Sequence, residues 1–232
     1  MRTRNSIHTA SAFLTVILLA LVFAEVDMAQ DNSFSHMLTI TSNASQSLFN
    51  AQSAVNKQRE NMARAAGVTD YSYERQPARQ YPITATDFQV LQAPIMPDQF
   101  ANSAQGVDQQ TRQQMRTMFL QTLAAFEKSG RKDNMASAFT WVSACAFLIR
   151  DGKEPSDADE AKLTAYFNNT LAASPDYATL TPYKQQMLYE SLIITGGIMV
   201  FLNNQAKETN NPQLRAQASE MAKQVLKMYL GI

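Results

Sequence analysis

The sequence predicts an all-α protein: an antiparallel four-helix bundle core at 108–232, with an additional N-terminal helix at 43–67 and a Pro-rich extended arm at 68–107. Three observations lead there. Apolar residues recur at spacings of three and four over long segments, the period of a helix with one buried face. Glycines and prolines fall at the edges of those segments, as at Gly130, Gly152, Gly231, Pro182 and Pro212, where helices end and begin. Alternation suited to a strand is nearly absent; Leu38-Thr39-Ile40-Thr41 is too short to count.

From the N-terminus, Arg2 and Arg4 precede an apolar run at 13–24, FLTVILLALVFA, which ends in small side chains. That order of a basic start, an apolar centre and a cleavable end is a secretory signal peptide at 1–24. A spanning helix needs about 20 apolar residues, and this run stops at Glu25 and Asp27, so no stable membrane span is expected once the signal is removed. Cleavage fits after Ala24 or Ala29. A flexible N-terminus at 25–42 follows, then the helix at 43–67 with Leu48, Val55 and Met62 seven apart. The arm holds Pro77, Pro82, Pro94 and Pro97, which remove backbone donors and favour extended chain.

In the bundle segment, Met115, Phe119, Leu123 and Phe126 make the apolar face of a helix at 108–129. The helix at 134–151 takes Asp133 as its cap and carries Phe139, Val142, Ala146 and Ile149 on one face. Ser156 and Asp159 resemble a capping box opening a helix to 173 that buries Leu163, Tyr166, Phe167 and Leu171. Thr181 caps a helix reaching 208, and Pro212 opens the last one, with Leu214, Ala218, Met221, Val225 and Met228 inward.

Composition excludes several chemistries. Removing the signal leaves 18 basic against 20 acidic side chains, a net charge of −2. With no long basic run, nucleic-acid binding is disfavoured. The single cysteine, Cys145, forbids an internal disulfide, and its place on a helix face with Trp141 and Leu148 reads as a small buried residue. The chain has two histidines, and His8 leaves with the signal, so His-based triads and multi-histidine metal sites are excluded. No phosphate-binding glycine loop occurs, and no cofactor or metal is expected.

The candidate site lies around 188–204, LYESLIITGGIMVFLNN. A helix apolar on all sides is buried, and a glycine pair inside it costs about 2 kcal/mol relative to alanine. Close packing of a bulky partner against Gly196 and Gly197, with Trp141 or an aromatic of the preceding helix as candidate, offsets that; a kink or a small cavity are the alternatives. Glu190 stands in an apolar row with Met187 and Ile194. A buried carboxylate needs a partner, and Arg112, Arg116 or Arg150 could supply one. Trp141, Glu190, Gly196 and Gly197 are therefore the candidate binding residues, with Glu190 the one weak catalytic candidate, as a general acid of raised pKa.

Thr86-Asp87-Phe88, Lys132-Asp133-Asn134-Met135-Ala136 and Gln186 with Tyr189-Glu190 resemble a family of uncharacterised secreted bacterial helical proteins, a domain of unknown function, over about 83–231. The resemblance implies a bacterial envelope setting, no assigned activity, and a common structural unit for these motifs. Docking of the arm through Phe88, Leu91 and Ile95 is the corresponding expectation. The functional expectation is a secreted or periplasmic non-enzymatic module, structural or binding a protein partner. A carboxylate-based hydrolase of glycans, with Asp176 or Glu127 as second group, and a carrier of a small apolar ligand are the alternatives.

Overall fold

The computed structural model describes residues 80–232 apart from 92 and 105–107. The expected signal at 1–24, the N-terminus at 25–42 and the helix at 43–67 lie outside the described residues. What is described is all-helical: a 3-10 turn at Ile83–Thr86, then α1 (Met96–Ser103), α2 (Gln109–Ser129), α3 (Met135–Asp151), α4 (Asp157–Ala172), α5 (Pro175–Ala178), α6 (Pro182–Glu208) and α7 (Pro212–Leu230).

Local chemistry sets the boundaries. Asp108, Ser156, Thr181 and Asn211 each accept a backbone N–H from the first turn of the helix that follows, satisfying donors that a helix leaves open. The Ser156 hydroxyl also donates to Asp159 Oδ2 at 2.7 Å, so this pair closes through side chains rather than through the reciprocal backbone bond of a capping box. The cap of α3 is Asn134, whose Oδ1 accepts from Ser137 N at 2.9 Å, and not Asp133 as expected. Asp133 takes a left-handed backbone (φ 53), and that turn carries the chain into the helix one residue later. Gly152 and Gly231, at φ 72 and 73, end α3 and α7 in the left-handed conformation that suits glycine.

Helix α6 is the axis. Its residues from Leu188 to Asn203 are buried without a break. It is long and apolar enough to cross a membrane, but 89% of its apolar window is covered by the rest of the fold. Helices α3, α6 and α7 pack on one another pairwise, α4 lies on α3, α2 on α6, and α1 on both α2 and α6. The core thus centres on three mutually packed helices with α2 and α4 as flanks. A helix that is apolar all round accepts neighbours on every side, so it does not limit itself to the two partners of a square bundle. Phe139 joins α3 to its neighbours, stacking on Phe167 of α4 at 5.3 Å and meeting Tyr229 of α7 edge-on at 5.0 Å.

Two expectations are corrected here. The segment expected to be an extended arm contains the 3-10 turn and α1 in its described part, because Pro97 occupies the first turn of a helix, where its missing N–H costs nothing. Tyr166, expected in the core, is 40% exposed, whereas Phe167 and Leu171 are buried. Cys145 is fully buried, and burial pushes its thiol above the ordinary range.

The glycine pair is filled by close packing. A Cβ on Gly196 would stand 2.6 Å from Trp141 Nε1 and 3.2 Å from Cys145 Sγ, and one on Gly197 would stand 2.5 Å from Thr122 Cγ2. The two missing side chains let α3 and α2 approach the α6 backbone from different sides. Gly196→Ala is therefore expected to destabilise the protein by about 1–3 kcal/mol through overpacking, despite the gain of about 1 kcal/mol in helix propensity. Urea unfolding checks this, together with a shift in the fluorescence of Trp141, the only tryptophan in the chain.

Candidate functional site

Glu190 sits on α6 with 4% of its surface exposed. Its Oε2 accepts the backbone N–H groups of Ile95 and Met96 at 2.7 and 2.8 Å, and its Oε1 accepts from Gln186 Nε2 at 2.8 Å. Ile95 and Met96 open α1, and Ile95 as N-cap has no side-chain acceptor of its own. The carboxylate of one helix therefore caps another, placing negative charge where the helix dipole is positive. The arginine partner expected for Glu190 is not the one found. Arg116 pairs with Asp98, Arg150 with Asp151, and Arg112 donates to the Ala104 carbonyl at 3.5 Å. Main-chain donors at a helix start satisfy a buried carboxylate without a second desolvated charge.

This bond is one of a row that fastens residues 81–96 to the helices. Gln186 Oε1 accepts from Leu91 N at 3.1 Å. Asn134 Nδ2 donates to the Ile83 carbonyl at 2.9 Å and to Asp87 Oδ1 at 2.7 Å. Asn168 accepts from the Thr86 hydroxyl at 2.9 Å and donates to the carbonyls of Tyr81 and Pro82. Asn169 accepts from Tyr81 N at 2.8 Å, and the Tyr177 hydroxyl donates to the Thr86 carbonyl at 3.1 Å. Arg131 grips Asp87 through two bonds of 3.0 and 2.6 Å. Of the apolar anchors expected for this segment, Phe88 meets Tyr189 edge-on at 5.0 Å, but Leu91 is 53% exposed. Met96 and Phe100, both fully buried, carry the apolar contact, because α1 turns them inward while Leu91 precedes the helix.

Trp141 is held between α6 and α2. Its Nε1 donates to the Ile193 carbonyl at 3.2 Å, and its ring meets Phe126 edge-on at 5.7 Å. The same residue lines a cleft of about 200 Å³ across the face of α3, walled by the end of α2 and by Glu160 and Thr164 of α4. A second depression of about 560 Å³, mostly apolar, lies between Phe147 of α3, Leu163 and Tyr166 of α4, and Leu230 and Ile232. Its rim carries Asp151, Lys153, Glu154, Asp159 and Lys162. Neither is lined by Gly196, Gly197 or Glu190. Among the described residues, no group of three or more His, Cys, Asp or Glu is placed to hold a metal ion.

Spacing missed Asn134, Asn168, Asn169 and Gln186 as functional side chains. The available signal was an amide standing beside buried apolar neighbours, as Asn168-Asn169 does next to Phe167. Glu160 was hidden in the acidic first turn of α4, where carboxylates serve the helix dipole.

Residues 8–232 match the model of a family of unknown function, DUF6683. The chain belongs to that family. No curated protein and no solved structure matches it. The motifs singled out in this DUF6683 chain are the parts that fasten 81–96 to the helices: Thr86-Asp87-Phe88 on one side, Asn134, Gln186, Tyr189 and Glu190 on the other.

Burial lifts the Glu190 carboxyl above the ordinary glutamate value of 4.5, against the pull of its three donors. A group whose folded pKa is raised adds stability below its unfolded pKa, and that stability is lost as pH climbs through the folded pKa. Glu190→Gln is expected to abolish this decline above pH 4.5. It is also expected to cost about 1–3 kcal/mol at neutral pH, because the new NH2 must face donors, either Gln186 Nε2 or the N–H groups of Ile95 and Met96. Hydrogen exchange at the Ile95 and Met96 amides is expected to accelerate in the variant; unchanged protection there would contradict the capping role.

Proposed function

We propose that this protein is an exported, non-catalytic helical module of the bacterial envelope or exterior, and that it works by docking another protein. The observation that carries this reading is the apolar groove between α3, α4 and the end of α7, about 560 Å³ in volume, beside the exposed side chains of Tyr166 and Ile232. An open apolar patch framed by charge is the usual character of a protein-binding surface. Its rim carries both signs. Asp151 is paired with Arg150 and Asp159 with Lys162. That balance suits a partner helix presenting an apolar stripe flanked by mixed charges. An anionic membrane surface calls for a basic rim instead. The apolar run after Arg2 and Arg4 supports export.

A carrier of a small apolar ligand draws support from the same groove. Glycan hydrolysis through Glu190 draws none, because both carboxylate oxygens are engaged by donors inside the fold. The proposed acid would have to release a proton toward a substrate it does not face.

Mass spectrometry of the chain recovered from outside the bacterial cytoplasm is expected to find an N-terminus at Glu25 or Gln30. A photo-crosslinking residue at position 166 is expected to give one discrete protein adduct in the native envelope. Ile232→Lys should abolish that adduct while changing stability by no more than about 0.5 kcal/mol. An adduct indifferent to Ile232→Lys would overturn the docking surface, and an adduct of lipid mass alone would shift the reading to the apolar ligand.

A further inference from the structure

The cleft over Trp141 shares no lining residue with the groove, and it has a different chemistry. Its floor is a face of α3 bearing Thr140 and Trp141, its aromatic side is completed by Phe126, and its polar side is Glu160. The aromatic pair is fixed before any ligand arrives. Trp141 is held by its bond to the Ile193 carbonyl and by contact with the bare backbone of Gly196, and Phe126 braces it edge-on. Rings held in this way line the cleft without an ordering cost on binding.

The charges decide the ligand class. Glu160 is half-buried, and no described residue donates a hydrogen bond or an ion pair to its carboxylate. Arg131, the other charged residue of the cleft, has its charge cancelled by the two-pronged contact with Asp87. Among the described residues, the uncompensated charge in the cleft is therefore one carboxylate. Burial first, then Asp157 and Glu154, raise the Glu160 carboxyl above its ordinary range, as expected for an anion that lacks a counter-charge.

We propose that this cleft binds a small organic cation, an ammonium group carried on a compact apolar body, with the charge against Glu160 and the body against the face of Trp141. An ammonium satisfies both halves of the site at once: it pairs with the carboxylate and is attracted by the negative face of an indole. A neutral polyol leaves the carboxylate without a counter-charge, and an anion is repelled by it. The volume of about 200 Å³ suits a molecule the size of choline.

Trp141 is the only tryptophan, so its emission reports occupancy without a label. The full mature chain is titrated with choline, with its neutral isostere 3,3-dimethylbutan-1-ol, and with glucose. Choline is expected to give a saturable change, the isostere to bind at least tenfold more weakly, and glucose to give none. Glu160→Gln loses no hydrogen bond and no ion pair, and the attraction to the helix start that it gives up is offset by relief from Asp157 and Glu154; it is expected to keep the melting temperature and raise the choline Kd at least tenfold. The proposal is overturned if choline produces no saturable change, if the isostere binds as well as choline, if glucose binds, or if Glu160→Gln binds undiminished. Ile232→Lys should leave the choline titration unchanged, so failure of the docking surface and failure of this site are separately visible.

Discussion

A buried carboxylate and an uncapped helix start solve each other's problem at Glu190. The carboxylate would be costly inside an apolar helix packing, by several kcal/mol if it stood alone. The first N–H groups of α1 have no acceptor of their own in a segment that begins Ile95-Met96-Pro97. Bringing the two together satisfies both with bonds of 2.7 and 2.8 Å. It also fixes where residues 81–104 run. With α1 anchored, Met96 and Phe100 drop into the core, Phe100 meets Phe119 of α2 edge-on at 5.9 Å, and α2 is set against α6. The remaining polar contacts, from Asn134, Asn168, Asn169 and Gln186, hold the same segment at intervals along its length.

With one cysteine the chain has no internal disulfide, so the described helices are held by burial and by these internal bonds. That condition explains why the buried amides are so thoroughly engaged. Asn168 and Gln186 each use both ends of the side chain, which keeps the cost of hiding a polar group small. An amide satisfied at one end only would weaken the fold by more than its remaining bond contributes.

Gly196 links the interior to the surface. Its missing side chain allows the indole of Trp141 to settle against the α6 backbone, and the outer part of that ring then forms part of an open cleft. The position of an aromatic binding face is thus decided by packing in the core. The same arrangement places on the facing wall a carboxylate of α4 that no described residue pairs. A surface site of this kind is rigid because the residues behind it are tightly packed.

Much of the local structure was legible in the sequence. Helix extents follow from apolar periodicity and from caps such as Ser156 and Thr181, and the burial of α6 follows from the absence of a polar face, because these depend on neighbours within a turn. Trp141 could be named among a few candidates as the partner of Gly196, because a bare helix backbone inside a core invites a bulky neighbour, but Thr122 as the residue that fills the space beside Gly197 could not. What the sequence left open was decided by contacts between residues far apart in the chain. The acceptor role of Glu190 toward Ile95 and Met96 spans more than ninety residues, and no spacing rule distinguishes a main-chain donor at that range from Arg112, Arg116 or Arg150. The three-helix centre, the exposure of Tyr166 and the isolation of Glu160 were settled the same way. Periodicity states that a face will be covered or a charge will need a partner, but only the folded arrangement of other helices determines which atoms arrive and which do not.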